Sequence, residues 1–192
     1  MSVPSPPTTW VLVPVKAFAE AKLRLAPAVG PDERRRLAQA MAEHVVRSAG
    51  SLPVAVVCDD AEVARWAEHV GARAIPEPGR GLNNAVTAGV ARLAAAGADR
   101  VIVAHADLPL AADLGWVARF PGVTLVPDRR DDGTNVACVP ARSGFRFAYG
   151  PASFFRHSLE ARRLELPLRV VREPRLGYDV DLPADLIYTP AG

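Results

Sequence analysis

Cysteine is almost missing from this chain. Cys58 and Cys138 stand far apart, each inside an apolar run, with no CxxC pair and no histidine at zinc-ligand spacing. A disulfide framework and a structural zinc are thereby excluded, and two reduced, inert thiols of a cytosolic protein are expected. An excess of charge of one sign is missing too. Lysine and arginine number 23 against 21 aspartates and glutamates, and no basic tract exceeds Glu33-Arg34-Arg35-Arg36, so nothing marks a nucleic-acid reader. No apolar stretch approaches a membrane span, and Met1 to Thr9 is rich in proline and serine without a basic region or an apolar segment of signal length. Those residues are expected to be a flexible tail, and 10–192 a single domain with no repeat or low-complexity tract. Two nucleotide motifs are absent. No GxxxxGK[ST] occurs, and Gly79-Arg80-Gly81-Leu82-Asn83-Asn84 lacks the third glycine of the dinucleotide fingerprint and follows Pro76 and Pro78 rather than a strand. A P-loop and a Rossmann cofactor are therefore excluded.

What is present is an alternation of short apolar runs and amphipathic stretches. Trp10 to Val15, Val54 to Cys58, Ala72 to Ile75 and Val101 to Ala104 are too short for helices and read as buried strands. Between them, Pro31 to Gly50 repeats apolar residues at Leu37, Met41, Val45 and Ala49, with Asp32 and Glu33 in its first turn and Gly50 as its stop. Ala61 to His69 and Leu82 to about Ala96 supply two more helices. A weak helix near Asp113 to Phe120, strands Val123 to Pro127 and Thr134 to Val139, a helix from Ala152 to about Leu164 and a last strand Leu168 to Arg172 complete the pattern. Such alternation predicts an α/β fold, a mainly parallel sheet between two helical layers.

Three clusters of polar residues fall at strand ends, where ligands bind in open α/β sheets. Asp107 follows the central strand in Asp107-Leu108-Pro109. Asp179 and Asp181, one residue apart in an extended segment, point to one side, as a divalent-metal site needs. Three carboxylates suffice for one or two magnesium ions completed by substrate oxygens. The loop after the first strand carries Lys16, Lys22 and Arg24, cations placed to neutralise a polyphosphate. Gly133-Thr134-Asn135 and Gly150-Pro151-Ala152-Ser153 each join a glycine to a hydroxyl, which suits close backbone approach and hydrogen bonding to an anion, or simply a turn. His157 shares a helical face with Ser153 and is expected in the core or at the surface; His105 is expected to be buried or to act through a neighbour. The three tryptophans show no pattern beyond packing.

Taken together, Val13-Pro14-Val15-Lys16, Ala21-Lys22-Leu23-Arg24-Leu25, Gly81-Leu82-Asn83, Asp107-Leu108-Pro109, Gly133-Thr134-Asn135, Gly150 with Ser153, Phe154 and His157, and Asp179 with Asp181 resemble the phospholactate or phosphoenolpyruvate guanylyltransferases of coenzyme F-420 biosynthesis. The resemblance covers nearly the whole chain and rests on the order and spacing of these pieces. It implies a molybdenum-cofactor-nucleotidyltransferase or nucleotide-diphospho-sugar-transferase-like three-layer fold and Mg-dependent transfer of GMP from GTP to a small phospho-acid, phosphoenolpyruvate or 2-phospho-L-lactate. It implies Asp107, Asp179 and Asp181 as metal ligands, and Asp107, Lys22 and Arg24 as the catalytic set. Thr134, Asn135, Gly150 and Ser153 would surround the phospho-acid, while Lys16, Lys22, Arg24, Gly81, Asn83 and Asn84 would surround the nucleotide. A deazaflavin-accepting transferase would collect the product. Two other readings stay open at this point: a sugar-phosphate or molybdopterin nucleotidyltransferase of the same fold, whose glycine-rich first loop is absent here, and a non-catalytic nucleotide-binding domain.

Overall fold

Short apolar runs pair into one sheet in the computed structural model, which describes residues 8–77 and 79–188. Its strands are β1 (Thr9–Pro14), β2 (Val54–Cys58), β3 (Arg73–Pro76), β4 (Arg100–Ala104), β5 (Val123–Pro127), β6 (Thr134–Pro140) and β7 (Leu168–Val170). Their spatial order is β3-β2-β1-β4-β6-β5-β7. All neighbours run parallel except β4–β6 and β5–β6. β6 is the reversed strand because the polar loop after Pro127 returns the chain directly beside β5, as a hairpin does. The expected α/β sandwich with a mainly parallel sheet is thus the observed one.

Strand alternation sends successive side chains to opposite faces. On one face, Val11, Val13, Val56, Ile102 and Cys138 pack against helices α1 (Pro31–Ser48) and α2 (Ala61–His69) through Val45, Val63 and Trp66. On the other, Leu12, Val57, Val101, Val103 and Leu125 meet α3 (Gly81–Ala95) and α4 (Ser153–Arg163) through Val86, Leu93 and Ala161. Helix α3 lies so close that a Cβ on Gly89 would stand 2.9 Å from Leu12 Cδ2. Among the described residues no helix is long and apolar enough to cross a membrane.

Several boundaries differ from expectation. Thr9 already belongs to β1, and the Thr8 amide donates to Asp99 Oδ2 at 2.9 Å, so the last two residues of the expected tail join the start of the central strands; 1–7 lie outside the described residues. The weak helix near Asp113 is a 3-10 stretch, Leu114–Arg119, and β7 stops at Val170. A one-turn helix, α5 (Pro174–Gly177), is too short to leave a periodic signal.

After β3 the chain crosses to the far side of β1 and lays down β4, so strand order reverses between β1 and β4. Ligand crevices form beyond the carboxyl ends of strands at such a switch point. The loop leaving β1 and the corner leaving β4 both end there.

Candidate active site

The basic loop after β1 is held by its apolar residues. Phe18, 2% exposed, packs edge-on against Trp66 at 5.2 Å between ring centroids, and Leu25 is buried with Val29, Met41 and Val180. Between those two anchors Lys22 is turned inward. Its backbone is left-handed, φ 57°, and its ammonium donates to Asp107 Oδ2 at 2.6 Å and to the Val180 carbonyl at 2.6 Å. Asp181 Oδ1 lies 3.6 Å away, and Arg24 Nη1, on an exposed side chain, reaches Asp181 Oδ2 at 3.5 Å. The Val180 amide donates to the Asp107 carbonyl at 3.2 Å, which ties the two acidic corners together through backbone. Because Val180 is fully buried, alternation leaves Asp179 and Asp181 on the opposite side of the segment.

Electrostatics single out the same residues. Burial raises the Asp107 carboxyl, but the Lys22 ammonium, with a smaller contribution from His105, outweighs it and holds the group below the ordinary carboxylate range. Asp179 goes the other way: burial first, then the charges of Asp107 and Asp181, push it up to about 6. One lysine thus neutralises a crevice of three acids incompletely. Asp107 Oδ1 is buried without a hydrogen-bond partner. Among the described residues no three acid, histidine or cysteine side chains converge as a ready-made metal cage. The ammonium of Lys22 stands between Asp107 and Asp181 instead. A cleft of about 350 Å³ opens beside this cluster, lined by Lys16, Lys22, Arg24, His105, Asp107 and Asp181 among others. A smaller cavity of about 60 Å³, which shares Pro14, Val15, Lys16 and Leu82 with it, reaches Cys58, Glu77 and Gly81.

The hydroxyl-bearing segments meet on the other side of β4. The His105 amide donates to the Asn135 carbonyl at 3.0 Å, so the start of β6 lies alongside the end of β4. There the Thr134 amide donates to Ser153 Oγ at 3.0 Å, and the two side chains are buried. Gly150, at φ 111°, makes the turn that only glycine enters freely and leads into α4. Two expected contacts take different form. Asn135 is buried, and its amide donates to the Leu176 carbonyl at 3.0 Å, anchoring α5 rather than facing the cleft. Asn83 accepts from the Tyr149 amide at 2.6 Å and so fastens α3 to the Gly150 turn, while Asn84 is exposed. The Asn83 carboxamide is therefore not open to read a base edge.

Sequence reasoning did not find Arg129, Asp185, Asp128 or Asp132. Arg129 lies over the Tyr178 ring at 4.7 Å, pairs with Asp185 at 2.5 Å and donates to the Asp179 carbonyl at 3.3 Å. Asp185 also accepts from the amides of Asp181 and Leu182, at 2.9 and 2.8 Å, and so fixes the acidic corner. Asp128 shapes the hairpin by accepting from Arg130 and Asp132 amides, and a Cβ on Gly133 would meet its Oδ2 at 2.9 Å. Asp132 accepts from the Ala152 amide at 3.1 Å just ahead of α4. Nothing local announces these partners, which long-range folding brings together; in the sequence only the polar loop Arg129 to Gly133, set between two expected strands, marks a place where binding groups tend to sit.

This fold, with a cationic first loop meeting two acidic corners at the switch point, is that of the nucleotidyltransferases. A nucleotidyl transferase from Methanothermobacter superposes with a TM-score of 0.63 at 15% identity, covering 94% of both chains. A cytidylyltransferase from Leptospira borgpetersenii gives 0.61 at 12% identity, over 94% of this chain and 84% of that one. At sequence level the match is narrower. The chain belongs to the family described as Guanylyl transferase CofC like, whose model matches residues 9–188, and it is a nucleotidyltransferase. It is 40% identical over 188 residues to the phosphoenolpyruvate guanylyltransferase of Sphaerobacter thermophilus, covering 93% of this chain and 91% of that protein. The protein of the same name from Streptomyces coelicolor is 38% identical, with 92% and 88% covered.

Proposed function

We propose that this protein transfers GMP from GTP to a small phospho-acid, phosphoenolpyruvate in the first instance, with release of pyrophosphate and with magnesium as the metal. The reading is supported above all by the Lys22–Asp107–Asp181 cluster at the switch point, one ammonium among three acids beside a cleft, in a family whose curated relatives bear the phosphoenolpyruvate guanylyltransferase name. The phosphate oxygen of the phospho-acid is already ionised at neutral pH, so its in-line attack on the α-phosphorus of GTP needs no general base. Catalysis then reduces to holding two anions together and neutralising charge.

Each residue has a part in that task. Lys16, Lys22 and Arg24 face the triphosphate, with Gly81 to Asn84 at the start of α3 on the nucleotide side. Thr134, Ser153 and the Gly150 turn hold the phospho-acid, with Asn135 bracing β6 behind them. Asp107, Asp179 and Asp181 would hold the metal, which when bound supplies charge neutralisation between the reacting phosphates. The chemistry of the donors suits it, all carboxylate oxygens, with Asp107 Oδ1 buried without a partner and Asp179 pushed up by burial and then by the charges of Asp107 and Asp181, although the three do not converge while Lys22 stands between Asp107 and Asp181. The product would pass to a transferase that accepts a deazaflavin.

A panel of phosphoenolpyruvate, 2-phospho-L-lactate and 3-phosphoglycerate with GTP and magnesium, followed by pyrophosphate release, tests this. Turnover that needs both GTP and one phospho-acid is the expected result. Equal turnover with ATP would point to a generic nucleotidyltransferase, and GTP binding without pyrophosphate release to a non-catalytic nucleotide-binding domain.

A further inference from the structure

His157 lies fully buried on α4, one helical turn after Ser153. The Ala148 amide donates to its Nε2 at 2.9 Å. A backbone amide can only donate, so Nε2 carries no hydrogen and, in the neutral ring, Nδ1 does. Nδ1 stands 2.9 Å from Thr134 Oγ1, and it follows that the imidazole donates and the Thr134 hydroxyl accepts. Phe145, Phe147 and Tyr149 pack around the ring at centroid distances of 5.7, 6.0 and 4.9 Å, and their apolar faces keep it in place. Burial holds His157 down at about 4, so the ring is neutral at physiological pH.

The neighbouring hydroxyl is oriented in the same way. Ser153 Oγ accepts from the Thr134 amide, and among the described residues neither hydroxyl has an acceptor for its own hydrogen. Two buried O–H donors are left facing no protein partner, at the start of β6 beside the end of β4. A buried donor left unsatisfied is unfavourable, so such a pair suits a ligand made of acceptors, as phosphate and carboxylate are.

We infer that His157 is a positioning residue for the phospho-acid: by donating from Nδ1 it turns the Thr134 hydroxyl so that its hydrogen is presented to substrate. This rests on the proposed function, in which Thr134 and Ser153 hold that acid. Both ring nitrogens are occupied, so the histidine neither takes nor gives a proton during the reaction. Its effect falls on binding of one substrate.

Two variants separate this from a packing role. In His157→Asn the side-chain NH2 can replace Nδ1–H toward Thr134, whereas in His157→Gln the longer carboxamide can replace Nε2 toward Ala148 but leaves Thr134 without its donor. Each loses one hydrogen bond, so a purely structural histidine gives two variants alike in every kinetic constant. The expected result is a phosphoenolpyruvate KM raised on the order of tenfold in His157→Gln, with the GTP KM unchanged and His157→Asn close to wild type. Equal phosphoenolpyruvate KM values in the two variants overturn the inference. Thr134→Val tests the reading beneath it: an unchanged phosphoenolpyruvate KM there removes Thr134 from the substrate site and the role of His157 with it, whereas a raised KM beside a normal His157→Gln removes only the latter. Nitrogen-15 spectra of the wild-type histidines decide the tautomer without any variant, and a hydrogen found on Nε2 of His157 overturns the assignment.

Discussion

Lys22 is held in a left-handed backbone conformation that a lysine adopts at a cost of roughly 1–3 kcal/mol, and its hydrogen bonds to Asp107 and Val180 maintain it there. Removing its ammonium leaves the Asp107 carboxylate without its ion pair and Asp181 with Arg24 alone. Lys22→Ala is therefore expected to lower both stability in metal-free buffer, by about 3 kcal/mol, and GTP turnover. Arg24 is a contrast, with a side chain 74% exposed, so Arg24→Ala should shift stability by no more than about 1 kcal/mol while still raising the GTP KM. Thermal melts in EDTA beside steady-state kinetics check the pair; equal melting temperatures for the two variants would mean that the Lys22–Asp107 contact contributes nothing to the fold. At this scale the sequence disclosed candidate charges but not their state. Asp179-Val180-Asp181 was readable because alternation alone puts its acids on one side. That Lys22 turns inward while Arg24 stays in solvent was not, since no residue pattern marks a positive φ at lysine. The backbone partners of Asn83 and Asn135 were hidden for a related reason: a carboxamide near a strand end looks the same in sequence whether it meets a ligand or a distant backbone group.

Elements were more legible than contacts. Buried strands announce themselves as short apolar runs, and α1 by its four-residue spacing, because both signals are local. The reversed direction of β6 was hidden, since only the pairing across Asp128 to Gly133 reveals a hairpin. The far edge of the sheet depends on another local feature. Gly122 has φ 70°, and a Cβ there would stand 2.2 Å from the Pro167 carbonyl, where the Val123 amide bonds to that oxygen and β5 begins its pairing with β7. Gly122→Ala is expected to destabilise the protein by about 2–4 kcal/mol while the folded fraction keeps its KM values, because Gly122, whose carbonyl accepts from Arg100 at the start of β4, lies at the end of the sheet opposite the acidic corner that follows β4. Chemical denaturation followed by kinetics on the remaining native protein measures both; a shifted KM for either substrate would show that strain at the β5–β7 edge reaches the site.

For the whole molecule, two buried groups pull stability in opposite directions over one pH window. His157 is held down at about 4 by burial, so between about 6.5 and about 4 the unfolded chain binds the proton more readily, and stability is lost as pH falls. Its full contribution is roughly 3 kcal/mol. Asp179 is pushed up to about 6, so from about 4 to about 6 the folded state binds the proton more tightly than the unfolded one, and stability is lost as pH rises. In metal-free protein the two slopes oppose, and the melting temperature should change little between about pH 4.5 and about pH 6.5. Asp179→Asn removes one of them. The variant is expected to be more stable than wild type near neutral pH in EDTA and to show a clear rise in melting temperature across that window, the slope belonging to His157. If the acids hold magnesium, adding it should steepen the wild-type profile in the same direction, because a metal bound to ionised Asp179 favours the folded state increasingly as pH rises. Melts of both proteins at several pH values, with EDTA and with magnesium, measure all of this. Parallel profiles for wild type and Asp179→Asn in EDTA would show that Asp179 titrates normally, and its burial beside Asp107 and Asp181 would then not be a source of stored repulsion.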